Sequence, residues 1–154
     1  MVIEYRTILP KKDLFPKVRM QRVVSLLSQF GTDTLQHLKT YPAKPAGSRY
    51  HRSGDLSRGW NSGGGPKMRG GDLYITFDNT AVDDYGREYW MWVQGPRRAR
   101  GPKQRAIMRK YGWSSISDVR TQIWPRYRPK IMRALGVTRI GGEVRPEFIP
   151  EFIG

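Results

Sequence analysis

Between residues 15 and 39 the apolar side chains of Met20, Val23, Val24, Leu27, Phe30 and Leu38 return every three or four positions, which sets them on one face of a helix. A helix with one apolar face must bury it against a second layer, so this stretch constrains everything that follows it. Gly31, followed by Thr32 and Asp33, is expected to kink the helix or to end it and cap a second segment starting at Thr32. Tyr41-Pro42 closes it in either case.

The second layer has one clear candidate. Residues 72–78 (DLYITFD) are rich in β-branched and aromatic types and nearly alternate, with Leu73, Ile75 and Phe77 on one side, the pattern of a half-buried strand. Residues 2–9 read as a short strand ended by Pro10. The glycine-rich stretch 63–71 reads as a flexible loop able to close a hairpin. Residues 83–94 (DDYGREYWMWVQ) open on two acids and space Tyr85, Tyr89 and Val93 four apart, which predicts a short helix stopped by Gly95-Pro96. A helix is expected over 117–123 and interrupted by Pro125, with Pro129 as the first position of a last helix that ends at Leu135 before Gly136. In the tail, Pro-Glu-Phe-Ile at 146–149 recurs at 150–153, and prolines four residues apart exclude a helix there.

With 154 residues there is room for one ordinary domain. The expected organisation is an N-terminal arm or strand over 1–14, one folded domain over 15–136 and an extended C-terminal arm over 137–154. The chain carries 28 Lys and Arg against 13 Asp and Glu, a formal +15, and is expected to be drawn to a polyanion: DNA, RNA or an acidic protein surface. It has no cysteine, which excludes disulfides, thiolate metal sites and a cysteine nucleophile. Its two histidines, His37 and His51, stand apart, so no metal, cofactor or catalytic site is expected. No apolar stretch approaches the roughly 18 residues of a membrane span, so no membrane partner is expected and the protein is expected to be made in the cytoplasm.

Five features invite a function. Residues 48–60 (SRYHRSGDLSRGW) look like a nucleic-acid patch, yet a capped turn explains them better: Ser53 as the N-cap, Asp55 in the first turn, and Leu56 and Trp60 four apart as anchors. The segment 97–110 (RRARGPKQRAIMRK) carries Arg97, Arg98, Arg100, Lys103, Arg105, Arg109 and Lys110 and no acid. It reads either as a contact for DNA or an acidic partner or as a solvated basic surface. Trp90 and Trp92 lie about 200° apart on a helix, so one faces the domain and the other is available to a neighbouring subunit or to further core. Asp83, Asp84 and Glu88 could form a carboxylate cluster, but the first-turn helix position of the two aspartates explains them better, without catalysis. The glycines at 63–65 and 70–71 lack the following Lys-Ser/Thr of a phosphate loop.

The order of these features resembles the tail-completion and head-to-tail joining (neck) proteins of long-tailed phages, the group to which the lambda minor tail protein Z belongs. The resemblance spans about residues 15–136 and rests on Arg52-Ser53-Gly54-Asp55-Leu56-Ser57-Arg58-Gly59-Trp60, Tyr74-Ile75-Thr76-Phe77-Asp78-Asn79, Tyr85, Tyr89, Val93-Gln94-Gly95 and the segment 129–135. The sequence departs from the family at Gly59, where Ser or Ala is more usual, at Gln94 and Pro96, and in its long basic loop.

The resemblance implies an α+β fold related to tail terminators: an antiparallel β-sheet packed against the long N-terminal helix and shorter C-terminal helices, with extended loops and terminal arms. It implies a non-enzymatic virion protein at the top of the tail. Such a protein assembles in the host cytoplasm as a homo-oligomeric ring, a hexamer or a dodecamer, between head-closure, tail-terminator or tail-tube proteins, with genomic DNA passing through the lumen. Trp90, Trp92, Phe148 and Phe152 are then the candidate subunit interface. The rival from a different class is a small basic DNA- or RNA-binding protein.

Overall fold

A computed structural model describes residues 2–7, 17–43, 46–47, 53–70, 72–87, 93, 112–136 and 151–153. Helix α1 (Lys17–Lys39) runs through Gly31 without a break. The helix does not end there because Gly31 serves packing and not termination. It is buried against strand β4 (Asp72–Asn79), and a side chain on it would run into the end of Ile75. Val23, Leu27, Phe30, Thr34 and Leu38 share the buried face, close to the periodicity that the sequence carries.

The fold is α+β. Its sheet is antiparallel throughout and includes five strands among the described residues, in the order β2 (Trp60–Ser62), β4, β1 (Val2–Thr7) and β5 (Glu151–Ile153), with β3 (Lys67–Arg69) also on β4. Strand β1 (Val2–Thr7) lies along most of β4, with Val2 opposite Asp78 and Thr7 opposite Leu73. On the other side of β4, β2 (Trp60–Ser62) and β3 (Lys67–Arg69) pair with its two ends. Ser62 pairs with Phe77 and Lys67 with Tyr74, so the register slips by two residues and 63–66 bulges out between them. Gly64 and Gly65, at φ +84 and +89, make that bulge. Part of the glycine-rich stretch expected as a loop is therefore strand, and Gly70 turns it back into β4.

The end of the C-terminal tail, expected as an extended arm, supplies a strand of the sheet. Strand β5 (Glu151–Ile153) pairs antiparallel with β1, with Ile153 opposite Val2 and Glu151 opposite Glu4.

The second helical layer runs from Ile116 to Ala134 as α3 (Ile116–Asp118), a π-helical turn (Val119–Ile123) and α4 (Trp124–Ala134). Where the prolines predict a break at Pro125 and a fresh start at Pro129, both instead lie within one helical run. Pro125 follows directly on the wide π turn, whose altered hydrogen bonding accommodates the N–H that proline lacks. Gly136, at φ +74, ends the run as expected and donates its N–H to the Arg133 carbonyl at 3.0 Å.

Helix α4 packs on α1. Phe30 meets Trp124 and Tyr127 edge-on at 5.3 and 5.7 Å between ring centres. The Tyr127 hydroxyl donates to Asp33 at 2.6 Å. The last carbonyls of α1 are met from outside it: Ser57 donates to the Lys39 carbonyl at 3.0 Å, and beyond the helix end Ser114 donates to that of Thr40 at 3.3 Å.

The start of the helix expected over 83–94 folds otherwise. Residues 83–87 form a tight turn in which the Asp83 carboxylate accepts the N–H groups of Tyr85 and Arg87, both at 2.9 Å, while the backbone N–H of Asp83 donates to the Arg87 carbonyl. An aspartate followed by a glycine three residues on satisfies a turn as well as a helix start, and Gly86, at φ +73, decides between them.

Candidate functional site

The stretch 53–60 builds a short helix, α2 (Asp55–Gly59), that runs straight into β2. Its N-cap is Gly54, at φ +81, and not Ser53 as expected. Ser53 acts from one residue earlier, its hydroxyl oxygen accepting the Asp55 N–H at 3.3 Å. Arg58 folds back over this turn, donating to the Ser53 carbonyl at 2.9 Å and pairing with the Asp55 carboxylate. Hydrogen bonds from Ser53 and then Arg58 hold the Asp55 carboxyl below the usual carboxylate range. The charge of Arg58 is thus engaged within the turn.

Leu56 and Trp60 are both buried, Trp60 completely, at 0% exposure. Trp60 belongs to β2 and not to the helix, and stands opposite Asn79 in the ladder. Asn79 ties the two elements together. Its side-chain N–H donates to the Leu56 carbonyl at 2.8 Å, and its side-chain oxygen accepts the Ala81 N–H, also at 2.8 Å. Gly59 lies beneath this clamp, where a Cβ would come within 2.6 Å of the Asn79 oxygen and 2.9 Å of the Ala81 nitrogen. The clamp was not legible as such: Asn79 reads as the polar end of a strand, and only its pairing with residue 60 reveals the role.

Along the seam between α1 and α4, titratable groups face one another. Tyr127 is pushed up to about 12 by burial and by its bond to Asp33. His37 is held below its usual value by burial, against the opposing pull of Asp118 and with the repulsion of Arg126. The Asp118 carboxylate accepts both the N–H and the hydroxyl of Ser115, at 2.7 and 2.8 Å. Among the described residues no group of three His, Asp or Glu is placed to hold a metal, and no helix is long and apolar enough to cross a membrane.

Of the carboxylates weighed as a cluster, Asp83 is engaged by Arg87, whose Nε and Nη2 lie 2.8 and 2.7 Å from one carboxylate oxygen. That pairing holds the Asp83 carboxyl below the usual range. Tyr85 projects from the turn at 83% exposure, with the Arg87 guanidinium 4.9 Å from its ring centre. The basic segment 97–110 and Trp90, Trp92 and Phe148 lie outside the described residues, and Phe152 is described only as part of β5. No protein-family model, curated protein or solved structure matches the chain.

Proposed function

We propose that this chain is a structural protein of the phage neck, a tail-completion or head-tail joining component that assembles as a homo-oligomeric ring and acts without chemistry while DNA passes through it. The observation that carries the reading is the Asn79 clamp. Two of the stretches on which the resemblance rests, 52–60 and 74–79, are separate in sequence, yet Asn79 bonds the Leu56 backbone and pairs with Trp60. Leu56, Gly59, Trp60 and Asn79 form one buried packing unit, which is what a pattern that identifies a fold, and not a ligand site, should do.

A ring requires a heterologous surface that closes by rotation. Trp90, Trp92, Phe148 and Phe152 are its candidate residues, and the basic segment 97–110 is the candidate contact for DNA or an acidic neighbouring ring. Sedimentation velocity and negative-stain microscopy of the full chain, alone and with adjacent neck proteins, test the reading. Rings, or incorporation into rings, are the expected result. A monomer that binds oligonucleotides tightly and saturably, with affinity falling steeply with salt, would overturn it in favour of a small DNA- or RNA-binding protein.

A further inference from the structure

The helical layer carries a basic strip that periodicity alone does not single out. On α4, Arg126, Lys130 and Arg133 are spaced i, i+4 and i+7, which aligns them along one edge of the helix, and all three are exposed. That edge borders α1. Lys130 lies 5.4 Å from the ring centre of Tyr127, whose hydroxyl bonds Asp33 of α1. At the far end of the seam the guanidinium of Arg19, also exposed, reaches toward Gly136 just past α4, and the exposed Arg22 stands one turn further along α1.

Among the described residues of the helical layer, acidic groups do not offset this strip. Neither α4 nor the π turn before it contains an acid. The acids within α1 and α3 are Asp33 and Asp118, which are already taken by Tyr127 and Ser115. The aromatic residues of the same helix, Trp124 and Tyr127, turn inward onto Phe30. A cationic row with no outward aromatic suits a continuous phosphate backbone and offers no platform on which unpaired bases could stack.

We propose that the α1/α4 seam, through Arg19, Arg22, Arg126, Lys130 and Arg133, binds the phosphate backbone of duplex DNA without reading its sequence. The choice of duplex DNA over another polyanion rests on the neck reading; the site itself rests on the strip. Binding of this kind releases counterions, so each cation that neutralises a phosphate adds about 0.9 to the steepness of log K against log salt.

The test compares the full chain with the triple variant Arg126→Gln/Lys130→Gln/Arg133→Gln and with Arg97→Gln/Arg98→Gln/Arg100→Gln in the basic segment, using a fluorescent mixed-sequence duplex across a salt series. The seam variant is expected to keep its melting temperature while its slope becomes shallower by about 2 to 3, at roughly 0.9 per phosphate. Should the triple variant fail to fold, Arg133→Gln alone is expected to flatten the slope by about 1 on the same basis. An unchanged slope in the folded seam variant overturns the proposal, whether or not the 97–100 variant binds more weakly. So does competition by polyglutamate that equals competition by unlabelled duplex, which would assign the strip to an acidic protein. Ring assembly is followed by sedimentation on the same samples. Rings without seam-dependent binding sink this proposal alone, and seam-dependent binding by a chain that forms no ring sinks only the neck reading.

Discussion

The terminal methyl of Ile75 fills the place where a side chain on Gly31 would begin, so helix α1 meets strand β4 with nothing but hydrogen on the helix side. The contact sets how closely the two layers of the domain approach. Gly31→Ala gains about 1 kcal/mol of helix propensity. It also forces Ile75 to move in a closed core, an overpacking cost of about 1–3 kcal/mol. The net expectation is a modest loss of stability by urea denaturation. Ile75→Val, which removes the offending methyl, should recover part of that loss in the Gly31→Ala background while destabilising the parent; additive effects would show that the two positions do not meet.

Asn79→Ala breaks both bonds of the clamp and leaves the Leu56 carbonyl and the Ala81 N–H without their partner in a buried place. The expected loss is about 2–6 kcal/mol, from roughly 1–3 for each of the two stranded groups. Thermal unfolding of the purified variant checks it, and a melting temperature within about a degree of the parent's would show that the clamp is ornamental.

Trp60 is completely buried at the start of β2, and its replacement by Ala should cost roughly 3–5 kcal/mol. Trp60→Phe, which keeps a ring in the same space, should cost markedly less. Equal losses would place the importance of this position in the indole N–H and not in its volume.

Two groups on the seam make stability depend on pH in opposite directions. Tyr127 ionises near 10 when unfolded but at about 12 in the fold, through burial and its bond to Asp33. Its stabilisation is therefore complete below pH 10 and lost as the pH rises toward 12. Burial lowers His37 from its usual 6.5, so its contribution is complete above pH 6.5 and declines as the pH falls through its folded-state value. Melting temperature against pH is expected to fall at both ends, with Tyr127→Phe flattening the alkaline side and His37→Gln the acid side. A variant with the parent's profile would remove that group from the account.

Where the chain announces itself by period, the sequence was a sufficient guide. Helix α1 and strand β4 each expose a repeating apolar face, and both fall within a residue or two of where the repeat places them. Signals that serve two structures misled. Asp83 opens a helix or holds a turn with equal chemistry, and a proline marks a helix start only when nothing upstream yields, as the π turn before Pro125 does. The parts that depend on partners distant in the chain were invisible: the Asn79 clamp, the closeness of Gly31 to Ile75, and the basic edge of α4, whose charges look scattered until the helix lines them up.

The position of β1 bears on how the molecule is made. One edge of this strand is covered by β4, and the Val2–Glu4 half of the other by β5, which the ribosome delivers only after both helical layers have emerged. Until then β1 keeps a row of unpaired backbone groups open to any other nascent chain. Its closure waits on the most distant pairing in the sheet, and contacts of that range are the slowest to form. From the synthesis of β1 until the arrival of β5, this edge is thus open to pairing with the wrong strand.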